Sequence, residues 1–108
     1  AQITELTDIS QGLVYYSMTI QNQNISQIGK QGIRQLLASF KVIDEKYSER
    51  LENYDLNPSQ SLFCILYHIG KSDEEVMQIL QYSLSNIRVR KSRIKSDTGA
   101  ESFDDIIR

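Results

Sequence analysis

One cysteine, Cys64, one proline, Pro58, and one histidine, His68, stand in 108 residues. A lone cysteine permits no intrachain disulfide, so no covalent staple holds the chain and a reducing compartment suits it. With no His/Cys cluster there is no zinc site to assemble. No apolar run approaches the ~18 residues that a membrane span requires, and no signal peptide opens the chain. Neither a phosphate-cradling glycine loop nor a dinucleotide fingerprint is present. No serine has a base close in sequence, so no triad is suggested. These absences weigh against an enzyme and against a bound cofactor or metal. The chain starts at Ala1 without an initiator Met and reads as a piece of something longer.

What is there is helical. The chain is 40% hydrophobic and 24% charged, ordinary for one globular domain. Apolar residues recur at three- and four-residue steps nearly throughout. Residues 3–23 carry Ile3, Leu6, Ile9, Leu13, Tyr16 and Ile20, with Gly12 weakening that helix by ~1 kcal/mol relative to Ala. Ser26 is the expected cap of a second helix reaching Phe40, striped by Ile28, Ile33, Leu36, Leu37 and Phe40. Asp44 caps a third, with Tyr47, Leu51 and Tyr54 on its apolar face. Asn57, Pro58 and Gln60 give a capping-box start to the most apolar helix, 58–69, which Gly70 ends. Ser72 caps the next, whose first turn holds Asp73, Glu74 and Glu75. Ser83 or Ser85 opens a helix to about Lys95. Residues 96–99 read as a loop, and 101–108 as a short amphipathic helix with Phe103, Ile106 and Ile107. Nothing reads as a strand. The expected fold is all-α: a small helical bundle, with an N-terminal helical segment over 1–55 and a helix-turn-helix module with a terminal helix over 56–108.

Charge is the most uneven property. Residues before Arg88 hold six Lys/Arg against ten Asp/Glu, a net of −4. Arg88-Val89-Arg90-Lys91-Ser92-Arg93-Ile94-Lys95 then places five cations in eight residues with no acid among them. Concentrated positive charge is the footprint of a surface that meets a polyanion; a solvated basic helix face is the plainer alternative. Between Asn57 and Lys95 the order is cap, helix, glycine turn, short helix, tight turn, basic helix. A helix-turn-helix needs that order, because one short helix crosses the phosphate backbone while the next enters a major groove about 12 Å wide. Residues 72–80 fit the supporting helix and 85–95 the recognition helix. Ile87 and Ile94 point inward, while Arg88, Lys91, Ser92 and Lys95 are spaced to share an outward stripe.

Leu56-Asn57-Pro58, the stretch from Cys64 to Gly70, Ser72, Glu75-Val76, Leu80, Ser83, Ile87 and the basic helix together resemble the C-terminal DNA-binding domain of LuxR-type (GerE-like) regulators. Phe40, Tyr47 and Leu51 ahead of the module, and Ser102-Phe103-Asp104-Asp105-Ile106-Ile107 behind it, resemble a divergent form. That form ends membrane-anchored regulators which carry tetratricopeptide repeats. The resemblance implies a transcriptional regulator's output domain that binds double-stranded DNA, as a homodimer, below upstream sensor or repeat domains. It also implies a cytoplasmic position, with the parent protein anchored in the inner membrane. By position it puts Arg88, Val89 and Ser92 at base edges, and Asn86, Lys91, Arg93 and Lys95 at phosphates. The sequence departs from the family pattern at Gln60, Leu62, Glu74, Asn86 and Arg90.

The three acids Asp73, Glu74 and Glu75 oppose phosphate approach. They sustain a second reading, a degenerate helix-turn-helix that binds protein or dimerises. Helix-dipole complementarity explains them better than a metal site does. Cys64 fits an inert core thiol and His68 a half-exposed helix position. The tyrosines Tyr15, Tyr16, Tyr47, Tyr54, Tyr67 and Tyr82 fit core and core-edge packing. The first helix is the freest element, suited either to intradomain packing or to dimerisation.

Overall fold

Short polar side chains decide where most of the helices begin. The computed structural model describes residues 2–108, with side chains from Glu5 onward; Ala1 and the side chain of Ile3 lie outside the described residues. In order come α1 (Gln2–Ile20), α2 (Gly29–Ile43), α3 (Glu45–Glu52), α4 (Pro58–His68), α5 (Asp73–Leu80), α6 (Leu84–Thr98) and α7 (Phe103–Ile107), with no strand among the described residues. The fold is the all-α class expected from the apolar spacing. Asp44 accepts the Tyr47 N–H at 3.1 Å to start α3. Asn57 accepts from Gln60 N–H at 2.8 Å while the Gln60 side chain accepts from Asn57 N–H, the reciprocal pair that opens α4. Ser72 and Glu75 repeat that box at α5. Ser83 caps α6 and Ser102 caps α7. Each such cap stabilises its helix by about 1 kcal/mol.

Two expected boundaries move. Ser26 does not cap α2. Its own N–H donates to Asn24 Oδ1 at 2.8 Å, so a local turn organises the connector, and α2 begins three residues later without a side-chain cap. Residues 96–98 continue α6 instead of looping. The Thr98 hydroxyl donates back to the Ile94 carbonyl at 2.8 Å, and the break comes only at Gly99, whose φ of +71° suits glycine.

α4 is the central element. Leu62, Phe63, Cys64, Ile65 and Leu66 are all buried, so neighbours cover this helix on several sides. Leu36 and Phe40 of α2, Tyr47 and Leu51 of α3, Val76 and Ile79 of α5, Ile87 and Ile94 of α6 and Ile106 of α7 complete one core cluster. The segments 1–55 and 56–108 therefore share a single core. Burial pushes the Cys64 thiol up to about 12, so it stays protonated and packs as a small hydrophobe.

The five-residue α7 is held at both ends. Its last carbonyls have no partner within the helix. Tyr47 Oη donates to the Ile106 carbonyl at 2.9 Å, the Arg50 guanidinium reaches the Asp105 and Arg108 carbonyls, and His68 Nδ1 meets the Ile107 carbonyl at 2.6 Å. The His68 ring also stacks on Tyr47 at 3.5 Å between centroids, and its Nε2 lies 3.2 Å from Asp44 Oδ2. His68 is thus half-buried, as its position suggests, and joins α3, α4 and α7.

α1 seats differently from its apolar pattern. It lies along α2 through Gly12, where an added Cβ would stand 1.9 Å from the Gln35 carbonyl oxygen. The glycine is there for helix approach, at the cost in helix propensity expected from sequence. Tyr15, Tyr16 and the buried Thr19 lie on the packed side, whereas Leu6, Leu13 and Ile20 of the expected stripe are exposed. No helix among the described residues is long and apolar enough to cross a membrane.

Candidate nucleic-acid interface

α5 and α6 are joined by three residues, Gln81, Tyr82 and Ser83. Gln81 makes the turn tight by adopting left-handed backbone at φ +59°, and its side-chain amide donates to the Gln78 carbonyl at 2.7 Å. Val76 and Ile79 of α5 and Ile87 and Ile94 of α6 are buried together in the core. Tyr82 is held at the turn between Phe63 and Arg90, the guanidinium carbon standing 4.1 Å from its ring centroid.

The inward anchors Ile87 and Ile94 set the rotation of α6. At about 100° per residue, Ser85, Val89, Ser92 and Ser96 fall on the side opposite them. All four are exposed. This crest is narrow because its side chains are small. Arg88 and Lys95 stand on one flank and Arg93 on the other, all three exposed. Arg88, Val89, Ser92, Arg93, Ser96 and Asp97 line one shallow depression along this outer face. The three positions expected at base edges, Arg88, Val89 and Ser92, are thereby brought together on the open face, with Val89 55% exposed.

The phosphate set divides. Arg93 and Lys95 are open to solvent. Asn86 is exposed, but its Oδ1 accepts from Arg90 Nε at 2.6 Å, so it props the guanidinium that lies on Tyr82. Lys91 does not share the outward stripe. It lies four residues after Ile87 and three before Ile94, which turns it toward α5. There its Nζ donates to Asp73 Oδ1 at 2.9 Å and stands 4.5 Å from the Tyr67 ring centroid, with Phe103 beyond. Tyr67 Oη donates to the same carboxylate oxygen at 2.7 Å.

This arrangement also changes the acidic entrance of α5. Lys91, and then the Tyr67 hydroxyl, hold the Asp73 carboxyl below the usual carboxylate range. Burial, and then the bond to Asp73, raise the Tyr67 phenol, which stays a donor. Glu75 is drawn into the Ser72 capping box and accepts from the Asn22 amide at 2.9 Å, with Lys71 also close; its carboxyl too is lowered, chiefly by the Ser72 N–H. Glu74 is exposed. Two of the three acids are consumed by internal structure, and one cation of the run is consumed with them. The Tyr67–Asp73–Lys91 cluster was not legible in the sequence as a cluster. The signal was the register of Lys91 between two buried isoleucines.

No group of three or more His, Cys, Asp or Glu among the described residues is placed to hold a metal ion. No protein-family model matches the chain, and neither the curated proteins nor the solved structures give a match.

Proposed function

We propose that this chain is a sequence-specific double-stranded DNA-binding domain, the output part of a transcriptional regulator, which lays α6 in the major groove. The observation that carries the reading is the cross-section of α6: a slim Ser85–Val89–Ser92–Ser96 crest with cations on both flanks. A groove about 12 Å wide bordered by two phosphate strands calls for that profile. A merely solvated basic face has no reason to keep its outermost ridge small and uncharged. The resemblance of the 56–94 region to LuxR-type domains supports the same assignment.

Arg88 then forks onto guanine O6 and N7, Val89 meets a thymine methyl, and Ser92 bonds a base edge. Arg93 and Lys95 contact opposite phosphate strands and set register. Lys91 acts indirectly, fixing the angle of α6 on α5, and Asn86 acts through Arg90. Pairing of two copies on paired half-sites, beneath upstream sensory domains of a cytoplasm-facing regulator, belongs to this proposal. The rival reading, a protein-binding module, draws on the free-cation count, since three of the five cations in the run, Arg88, Arg93 and Lys95, point outward.

Fluorescence anisotropy on mixed-sequence duplex DNA tests the proposal. Non-specific binding in the ~10⁻⁴–10⁻⁶ M range, falling steeply with salt, is expected. Arg93→Ala or Lys95→Ala should each reduce the slope of log K against log salt by about 0.9, whereas Lys91→Ala should leave it unchanged. No binding at low salt, or binding indifferent to Arg88→Glu with Arg93→Glu, sinks the DNA reading and favours the protein-binding one.

A further inference from the structure

Four of the eight large apolar side chains that stand exposed among the described residues lie on α1: Leu6 at 65%, Leu13 at 44%, Val14 at 53% and Ile20 at 50%. Leu6, Leu13 and Ile20 are seven residues apart, so they form one nearly straight seam on a helix. Ser10 and Ser17, both exposed, lie between them and let another backbone come close. The charge on α1 is sparse. Glu5 and Asp8 are its acids, there is no Lys or Arg, and Asp8 accepts from the Gln35 amide at 3.0 Å. From Leu6 to Ile20 the seam is free of charge, unlike a face built to stay in water. The absence of cations is wrong for a nucleic acid or an anionic lipid surface.

We infer that α1 pairs antiparallel with α1 of a second copy of this chain, about a two-fold axis beside Leu13. Leu13 is the midpoint of the seam, so a two-fold there sets Leu6 against Ile20 of the other copy and Leu13 against itself. Such a self-complementary patch is what an isologous dimer requires. Parallel pairing would bring the two Glu5 carboxylates together and align the helix dipoles. Antiparallel pairing opposes the dipoles and separates the carboxylates by roughly 24 Å along the axis. At roughly 100 Å² for each apolar side chain, the three seam residues and the exposed Val14 beside them offer about 400 Å² per copy. With Ser10, Ser17 and Gln21 alongside, the pair buries about 1,000–1,200 Å² in total, the low end of specific interfaces. The dimer is accordingly weak, with a dissociation constant of about 10–300 µM. α1 packs on α2, whereas α6 packs on α5 and α7, so pairing leaves the crest of α6 uncovered. The inference stands whether or not α6 binds DNA.

Sedimentation velocity on the purified 108-residue chain decides it, over about 5 µM to about 1 mM. The wild type should pass from monomer to dimer across that range. Leu13→Glu, which sets two carboxylates face to face on the axis, should stay monomeric with an unchanged far-ultraviolet dichroism spectrum and unfolding midpoint. Leu13→Ser, a milder change, should weaken the dimer at least tenfold. A wild type still monomeric at the top concentration overturns the inference, as does a dimer that either variant leaves undiminished. Orientation is read by oxidising an equal mixture of Leu6→Cys and Ile20→Cys proteins, with the buried Cys64 silent. Mixed disulfides should dominate; a predominance of Leu6→Cys homodimers overturns the antiparallel arrangement.

Discussion

Lys91 and Arg93 are two residues apart and alike in charge, and the helix turns them to opposite uses. Arg93 stands exposed on the outer flank of α6. Lys91 spans to Asp73 with its Nζ over Tyr67. Depressed carboxyls stabilise a fold above their ordinary ionisation range, and that contribution is lost as pH falls through the lower folded value. Asp73, with an ordinary value of 3.8, is lowered by Lys91 and then Tyr67. Its share of stability is therefore complete above about pH 4–5 and disappears on further acidification. The pair is partly exposed, 31% at Lys91 and 40% at Asp73, so water screens it. Asp73→Asn should cost up to about 1 kcal/mol in urea unfolding at pH 7 and nearly nothing at pH 2. Equal losses at both pH values would show that the carboxylate charge is not what matters. The register of Lys91 between Ile87 and Ile94 was legible in the sequence, but its partner 18 residues away was not. Only the packing of α5 against α6 brings Asp73 within reach.

At the scale of the element, the caps were the most readable feature. Asp44, Asn57 and Ser72 begin helices where their sequence predicts, and of the two serines open to the role before α6 it is Ser83 that caps it, because a cap acts within three residues of itself. Ser26 lies instead in a local turn, its N–H bonded to Asn24, and α2 begins only at Gly29 with no side-chain cap. α1 shows what a local pattern leaves open. Its apolar residues recur at helical spacing on more than one face, so periodicity gave the helix and misplaced its contact. Gly12 is the residue that settles the seat of α1 on α2, through a gap too small for a methyl group. Gly12→Ala should destabilise the fold by about 2 kcal/mol, overpacking outweighing the ~1 kcal/mol gain in helix propensity. A denaturant midpoint that rises instead would mean α1 slides on α2 without cost.

Across the whole molecule one core joins elements from both halves of the chain. Phe40, Tyr47 and Leu51 are buried against the same cluster as Ile65 and Ile106, and the Ile25 N–H donates to the Ile79 carbonyl at 2.8 Å. The full chain should unfold in urea in one transition seen alike by far-ultraviolet dichroism and tyrosine fluorescence. Residues 56–108 by themselves should lose cooperative unfolding, because α4 would be stripped on the side that α2 and α3 cover. A sharp transition for that piece would make the module an independent domain. By itself the sequence determined the helical class, the caps, the order of the α5–α6 module and the concentration of cations near its end. Those properties depend on neighbours within a turn or two of helix, which a linear pattern contains. Tertiary structure alone decided which cations remain free, which acids are consumed, and that α1 turns its Leu6–Leu13–Ile20 seam outward. Each of those depends on side chains brought together from distant positions, where packing sets the geometry and chain order does not.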